Sequence, residues 1–336
     1  MQNMHSTALA LTLSAALLAS LATPAQAAAT GCMPQHPLES AASFPALPGR
    51  LVFHSYVAYG DGSSRLFLYD FAAKSLTRLD IAAWNITDPM NAHFSPEGQR
   101  IVFMGRQGGN WHVFSWTLGS PQAPANLTAA IGGRNEDPKY SFDGRSIVIK
   151  HEGDIRIGTL AVDGRSITSW DIVTSDGWTT EESMPYLTPS GKYLFYIAGT
   201  GDAMRIWRMD MQTRKATQFS TPPAGAHEYY PVVRDYSTYF YTRTLAGTGN
   251  DQILRHPIGQ ATGKAEVLAL NDCDRDNSDA APVDEDLLAF SSDAYDATYS
   301  LVIGDLRNGK VWRIAPGLIN GGDGRNKLGA DYTARR

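Results

Sequence analysis

Beyond Leu21 the chain has no apolar run long enough to cross a bilayer, and nowhere does it carry a block of Lys or Arg. The first absence excludes a membrane-spanning helix in the body of the protein. The second, with a net charge of −5, argues against nucleic acid as a partner. Cysteine is scarce, at two residues. There is no Gly-x-Ser-x-Gly, no His-Glu-x-x-His and no Cys-x-x-Cys, so the sequence offers no nucleophile elbow, zinc-protease helix or dithiol motif. Amphipathic runs of helical period are missing as well. Glycine, by contrast, is abundant at 31 residues and aromatic residues make up 10%, which is the composition of an all-β protein.

The first residues read as an export signal. Leu9 to Leu21 is an apolar core, and Ala25-Gln26-Ala27 supplies the small residues that signal peptidase reads. This predicts a signal peptide over 1–27, an N-terminal tail over 28–48, and a periplasmic or secreted protein. In an oxidising compartment the two cysteines, Cys32 and Cys273, are expected to form one disulfide. Closing so long a loop stabilises by roughly 4–5 kcal/mol on the chain-entropy model.

A polar residue recurs through the rest of the chain. Asp88, Glu136, Glu182, Glu228, Asp279 and Asn326 follow one another at gaps of 48, 46, 46, 51 and 47 residues, each a few positions before a Pro, Ala or Gly that opens a short apolar run. A period of this size marks a repeat architecture. Each repeat divides into four strands. Second strands such as Arg100-Ile101-Val102-Phe103 and Tyr193-Leu194-Phe195-Tyr196 follow turns of the type Glu97-Gly98, Asp143-Gly144 and Ser190-Gly191, whose glycines supply positive φ. Four antiparallel strands per repeat make a propeller blade. The first repeat starts directly at its second strand near Gly49, and Asn326 to Tyr332 is left over as an unattached first strand. The sequence therefore predicts a six-bladed β-propeller over 49–336, closed by insertion of the C-terminal strand into blade one.

The segments Ala92-His93-Phe94-Ser95-Pro96-Glu97-Gly98, Asn135-Glu136-Asp137-Pro138-Lys139-Tyr140-Ser141-Phe142-Asp143-Gly144 and Glu182-Ser183-Met184-Pro185-Tyr186-Leu187-Thr188-Pro189-Ser190-Gly191 resemble the repeat of TolB-type six-bladed propellers. The resemblance spans about 49–335 and fades in blades five and six, at Val232 to Tyr236 and Val283 to Glu285. It implies an exported module that binds a partner at the propeller, without the separate N-terminal α/β domain of TolB. Similar propellers also serve carbohydrate-active enzymes, and fold alone does not choose between these roles.

Three sets of residues are candidates for a site. The six recurring residues are expected around one mouth of the central channel, either bonded to backbone N–H groups of neighbouring blades or gathered on a cation such as Ca²⁺. Asp272, Asp274 and Asp276 alternate as in a Ca²⁺ loop, although Asn277 stands where a Gly belongs and Val283 where a closing Glu belongs. His227, Tyr230 and Arg234 could supply the base and the carboxylate-neutralising cation of a polysaccharide lyase. Trp84 and Trp178, close before ring positions, could stack on a ligand. The reading is a non-catalytic, monomeric propeller that binds a protein or glycan on its channel face, with a secreted lyase as the alternative.

Overall fold

The computed structural model describes residues 32–33, 36–259 and 265–335; the signal-peptide expectation lies outside them. Twenty-four strands form six four-stranded antiparallel sheets. Blade one contains β1 (Arg50–Tyr56), β2 (Arg65–Asp70) and β3 (Ser75–Arg78). Blade two is β4 (Thr87–Phe94), β5 (Arg100–Gln107), β6 (Asn110–Thr117) and β7 (Ala125–Asn126). Blade three is β8 (Asn135–Tyr140), β9 (Ser146–His151), β10 (Asp154–Leu160) and β11 (Ile167–Ile172). Blade four is β12 (Glu182–Leu187), β13 (Tyr193–Ala198), β14 (Arg205–Asp210) and β15 (Ala216–Gln218). Blade five is β16 (His227–Val233), β17 (Thr238–Thr244), β18 (Asp251–Pro257) and β19 (Glu266–Val267). Blade six is β20 (Asn277–Pro282), β21 (Leu287–Ser292), β22 (Ser300–Asp305) and β23 (Val311–Arg313).

The last strand, β24 (Asn326–Thr333), pairs antiparallel with β1, setting Arg50 opposite Thr333 and Tyr56 opposite Asn326. The ring thus closes through blade one, as the leftover strand predicts, and the sheet has no free inner edge there. The turn glycines behave as expected: Gly98, Gly144 and Gly191 have φ of 74, 71 and 67°.

The apolar interior is a set of wedges, one in each seam between blades. Trp84, Phe103 and Phe114 fill the seam of blades one and two, and Phe195, Phe219 and Tyr239 that of blades four and five. Trp84 is therefore a packing residue, not a channel-mouth platform; Trp178 is half exposed.

Residues of the N-terminal tail strap the outer edge of blade six. Cys32 is bonded to Cys273, Met33 N–H donates to Asn271 O, and Cys273 N–H donates to Met33 O. Farther on, Glu39 N–H donates to Val311 O at 2.8 Å and Trp312 Nε1 to Ser43 Oγ at 3.0 Å. Phe44 and Leu47 then pack into the wedge between blades six and one.

Candidate functional site

Every innermost strand is interrupted by a bulge at a residue in the left-handed region: Asn91, Asp137, Met184, Tyr230, Asp279 and Gly329, with φ between 49 and 58°. These are the equivalent positions of the six blades. An Ala or Pro follows each one, which is the small residue that the recurring polar positions precede. The six residues singled out by spacing are consequently out of register with one another. Asp88 and Asn326 stand three positions before the bulge, Glu182 and Glu228 two, Glu136 one, and Asp279 on it.

Each of those six is held locally rather than in a common ring. Asp88 is 1% exposed and 3.9 Å from Arg106. Glu136 pairs with Arg134 at 2.8 Å and Lys150 at 3.5 Å. Glu228 Oε1 takes both Nε and a terminal nitrogen of Arg243, at 2.8 and 2.6 Å. Asn326 Oδ1 accepts Tyr299 N–H at 3.3 Å. Only Asp279 bonds the next blade's inner-strand backbone, accepting Gly329 N–H at 2.7 Å. Glu182 accepts from Thr174 Oγ1 and lies with Asp154 and Asp176 in a group whose oxygens fall within 4.8 Å of one another. Burial, with Asp176 and Asp154 adding to it, pushes the Glu182 carboxyl up to about 7.

The acidic loop does not converge on a cation position. Asp272 accepts His36 N–H and Asp274 N–H, and Asp276 accepts Asp251 N–H at 3.0 Å. Those oxygens are committed to backbone amides. Among the described residues, the carboxylates that do gather in the way a divalent cation needs are Asp154, Asp176 and Glu182.

Residues two places after the bulges line the channel in four blades, His93, Lys139, Tyr186 and Asp331, whereas the equivalent Val232 and Ala281 pack into the seams beside blades five and six. Contacts between non-neighbouring blades place the channel-lining residues on the axis. His93 of blade two reaches Tyr186 Oη of blade four at 3.1 Å, and Lys139 Nζ of blade three lies 5.5 Å from the Tyr230 ring centre of blade five. His93 Nδ1 accepts Tyr140 N–H, so Nε2 carries the proton and donates to Tyr186. Asp331 accepts Phe94 N–H at 2.7 Å, Asp137 accepts Met184 N–H at 3.2 Å and Asn91 Nδ2 at 3.0 Å, and His54 accepts Asn91 N–H. The channel-lining side chains thus bond the next blade's backbone, in the manner expected of the recurring acids but from different residues. Among the described residues no inner-strand side chain bonds the inner-strand backbone of the next blade across the seams on either side of blade five; Arg208 and Arg234 cross them instead, to Ile258 O and Glu285 O.

Electrostatically the axis holds one buried lysine among three carboxylates. Burial lowers Lys139, against the pull of Asp331, Asp137 and Asp279. Burial likewise raises Asp279 and Asp331 to about 6 and drops His54 to about 3. A cavity of about 300 Å³ opens above this cluster, at the C-terminal ends of the inner strands, with Asp331, His93 and Tyr186 in its wall and Phe142, Val283 and Arg234 around it. This is the mouth opposite to the one where Asp88, Glu136, Glu182 and Glu228 begin their strands. Lys139, Asp137 and Asp331 carry no distinct sequence signal, because β8 (Asn-Glu-Asp-Pro-Lys-Tyr) and β24 (Asn-Lys-Leu-Gly-Ala-Asp-Tyr-Thr) are polar along much of their length.

The proposed lyase residues do not meet. His227 opens β16 and Arg234 follows its last residue, about 20 Å apart at strand rise. Between them Tyr230 is buried, with its hydroxyl raised well above the usual phenol range by burial and by Asp279, Asp331 and Asp137. Arg234 is held by Asp235 and Glu285 O.

Architecture and channel define a closed six-bladed propeller, a fold similar to that of TolB structures. TolB from Acinetobacter baumannii superimposes with a TM-score of 0.62 at 13% identity, over 87% of this chain and 68% of that one. A chain of the nidogen/laminin complex does so at 0.60 and 12% identity, over 86% and 100%. Hydrazine synthase of Kuenenia stuttgartiensis gives 0.63 and 11% identity, over 85% of this chain and 46% of its own. No family model and no curated protein matches the sequence.

Proposed function

We propose that this chain is an exported, non-catalytic propeller that works as a monomer and receives a segment of a partner protein in the channel mouth walled by Asp331, His93 and Tyr186. The observation that carries the reading is the cavity of about 300 Å³ at that mouth. Its floor combines a carboxylate, an imidazole and a phenol from three blades, and its rim is apolar at Phe142, Val233 and Val283. A polar floor under an apolar rim suits an inserted peptide, whose backbone and one polar side chain find partners below while apolar neighbours rest on the rim. Leu9 to Leu21, the small residues before Ala28 and the Cys32–Cys273 bond support export. The similar chain in the nidogen/laminin complex supports protein rather than glycan as the ligand. The distance between His227 and Arg234 and the burial of Tyr230 between them weigh against the lyase alternative.

A photo-crosslinking residue at Phe142, with Ile172 on the exposed edge of blade three as control, tests this. Protein adducts from envelope or culture extract are expected at Phe142 and lost in Tyr186→Ala. Equal labelling at both positions sinks the proposal, as does unsaturated product from uronate polysaccharides.

A further inference from the structure

Buried polar side chains normally find a hydrogen-bond partner, so a cluster of exceptions marks a place where something else belongs. Among the described residues eleven buried side-chain atoms have none, and six are in blade five: His227 Nδ1, Glu228 Oε2, Tyr230 Oη, Tyr239 Oη, Thr242 Oγ1 and His256 Nε2. One blade in six holds over half of them. Three belong to residues grouped on the face of blade five turned toward blade four. Tyr239 lies opposite His256 in the sheet register, and Glu228 opposite Arg243. Beside that face is a crevice of about 340 Å³, lined by Phe219, Ser220, Pro222, Tyr241, Arg243 and His256.

We propose that this crevice between blades four and five binds a single uncharged sugar ring, at a site separate from the channel. The hydrogen-bonding chemistry selects the class. His256 is 2% exposed and its Nδ1 lies 2.8 Å from Pro257 O. A carbonyl can only accept, so Nδ1 carries the proton and Nε2 is a bare lone pair. Burial keeps the imidazole neutral. Glu228, fully buried behind the crevice wall, gives Oε1 to Arg243 and holds the guanidinium in place. Arg243 also donates to Tyr241 Oη at 3.3 Å. His256 and Arg243 both line the crevice, so the ligand must bring a donor for Nε2 and an acceptor for the guanidinium.

Charge narrows the choice further. The Glu228–Arg243 pair is already neutral, so a cationic ligand meets the guanidinium and an anionic one meets the lone pair of His256. Hydroxyl groups of a neutral sugar satisfy both sides. Pro222, half-buried at the edge of the crevice, offers an apolar surface for the C–H groups of such a ring. The volume sits at the small end for ligand sites, which fits one ring.

Long-range ¹H–¹⁵N correlation of the His256 imidazole in the mature protein tests this, with D-glucose, D-galactose and N-acetyl-D-glucosamine as probes. The free protein is expected to show the Nδ1–H tautomer. At least one sugar is expected to shift Nε2 saturably, and the apparent Kd should rise roughly tenfold in Tyr241→Phe and in Arg243→Lys. Asp331→Asn, in the channel, should leave it unchanged. An Nε2–H tautomer in the free protein overturns the proposal. So does no saturable shift with any of the three sugars, the crevice then holding ordered water alone. Saturation by acetate or methylammonium instead, or equal affinity in both crevice variants, overturns it as well.

Discussion

Lys139 is the residue on which the channel turns. Its ammonium is buried between Asp137, Asp279 and Asp331, so removing it leaves carboxylates uncompensated in a site that water scarcely reaches. Lys139→Met is expected to cost about 3–5 kcal/mol at pH 7.5. At pH 5 the loss should be smaller, because Asp279 and Asp331, both raised to about 6, are then largely protonated. The gap in urea midpoint between wild type and variant checks this; an equal gap at both pH values refutes it. The same two carboxyls set a pH dependence of their own. Their folded-state values lie above the ordinary 3.8, so the folded protein holds protons that the unfolded chain releases. The stability they supply is present below about pH 4 and is lost as pH rises through about 6. Asp331→Asn retains an oxygen to accept Phe94 N–H and abolishes one titration. Its urea midpoint relative to wild type should therefore rise between pH 4 and 6.5. Buried His54 acts in the opposite sense in both proteins, so the comparison cancels it. A flat difference counts against the assignment.

At the scale of the element, repeat, strand order and closure were legible, and the equivalence of residues within the repeat was not. Spacing counts blades because every blade needs the same four strands. Acidic residues crowd the start of each innermost strand, and gaps that vary by a few residues allow any of them to be matched to any other. The structural marker is the left-handed bulge, and its side chain ranges from Asp137 through Met184 and Tyr230 to Gly329. Backbone conformation is conserved there by geometry, not by residue type, so a search for similar side chains slips by one to three positions. The Cys32–Cys273 bond of the tail was legible, and the rest of its strap along blade six was not. Its contacts with Asn271, Val311 and Trp312 are invisible to spacing because they join residues over 200 positions apart. Replacing Cys32 by Ser should release it. Expected are a fall in melting temperature and loss of hydrogen-exchange protection that begins in β23, with blades two to four unchanged. Uniform loss of protection across all six blades is the result that contradicts a local strap.

For the whole molecule, stability depends on keeping the ring shut, because each wedge of apolar side chains is buried only while both blades flank it. Closure rests on β24, and Gly49, immediately before β1, lies against the end of that strand. Gly49 has φ of 87°, and a Cβ there would stand 2.1 Å from Thr333 O and 2.7 Å from Ala334 Cα. Neither is a flexible side chain that can swing aside, so an added methyl must displace the closing strand. Gly191 occupies the matching turn of blade four, with φ of 67° and open space around it. Gly191→Ala therefore measures the backbone strain of positive φ alone, about 1 kcal/mol. Gly49→Ala carries that strain and the displacement of β24 together, and should cost at least about 3 kcal/mol in urea unfolding. It should also expose the wedge between blades six and one, which contains Phe53, Tyr69 and Ile303, to hydrogen exchange before any other. Equal costs in the two variants would mean that the ring tolerates an open seam, and closure by the last strand would then be a matter of topology rather than of stability.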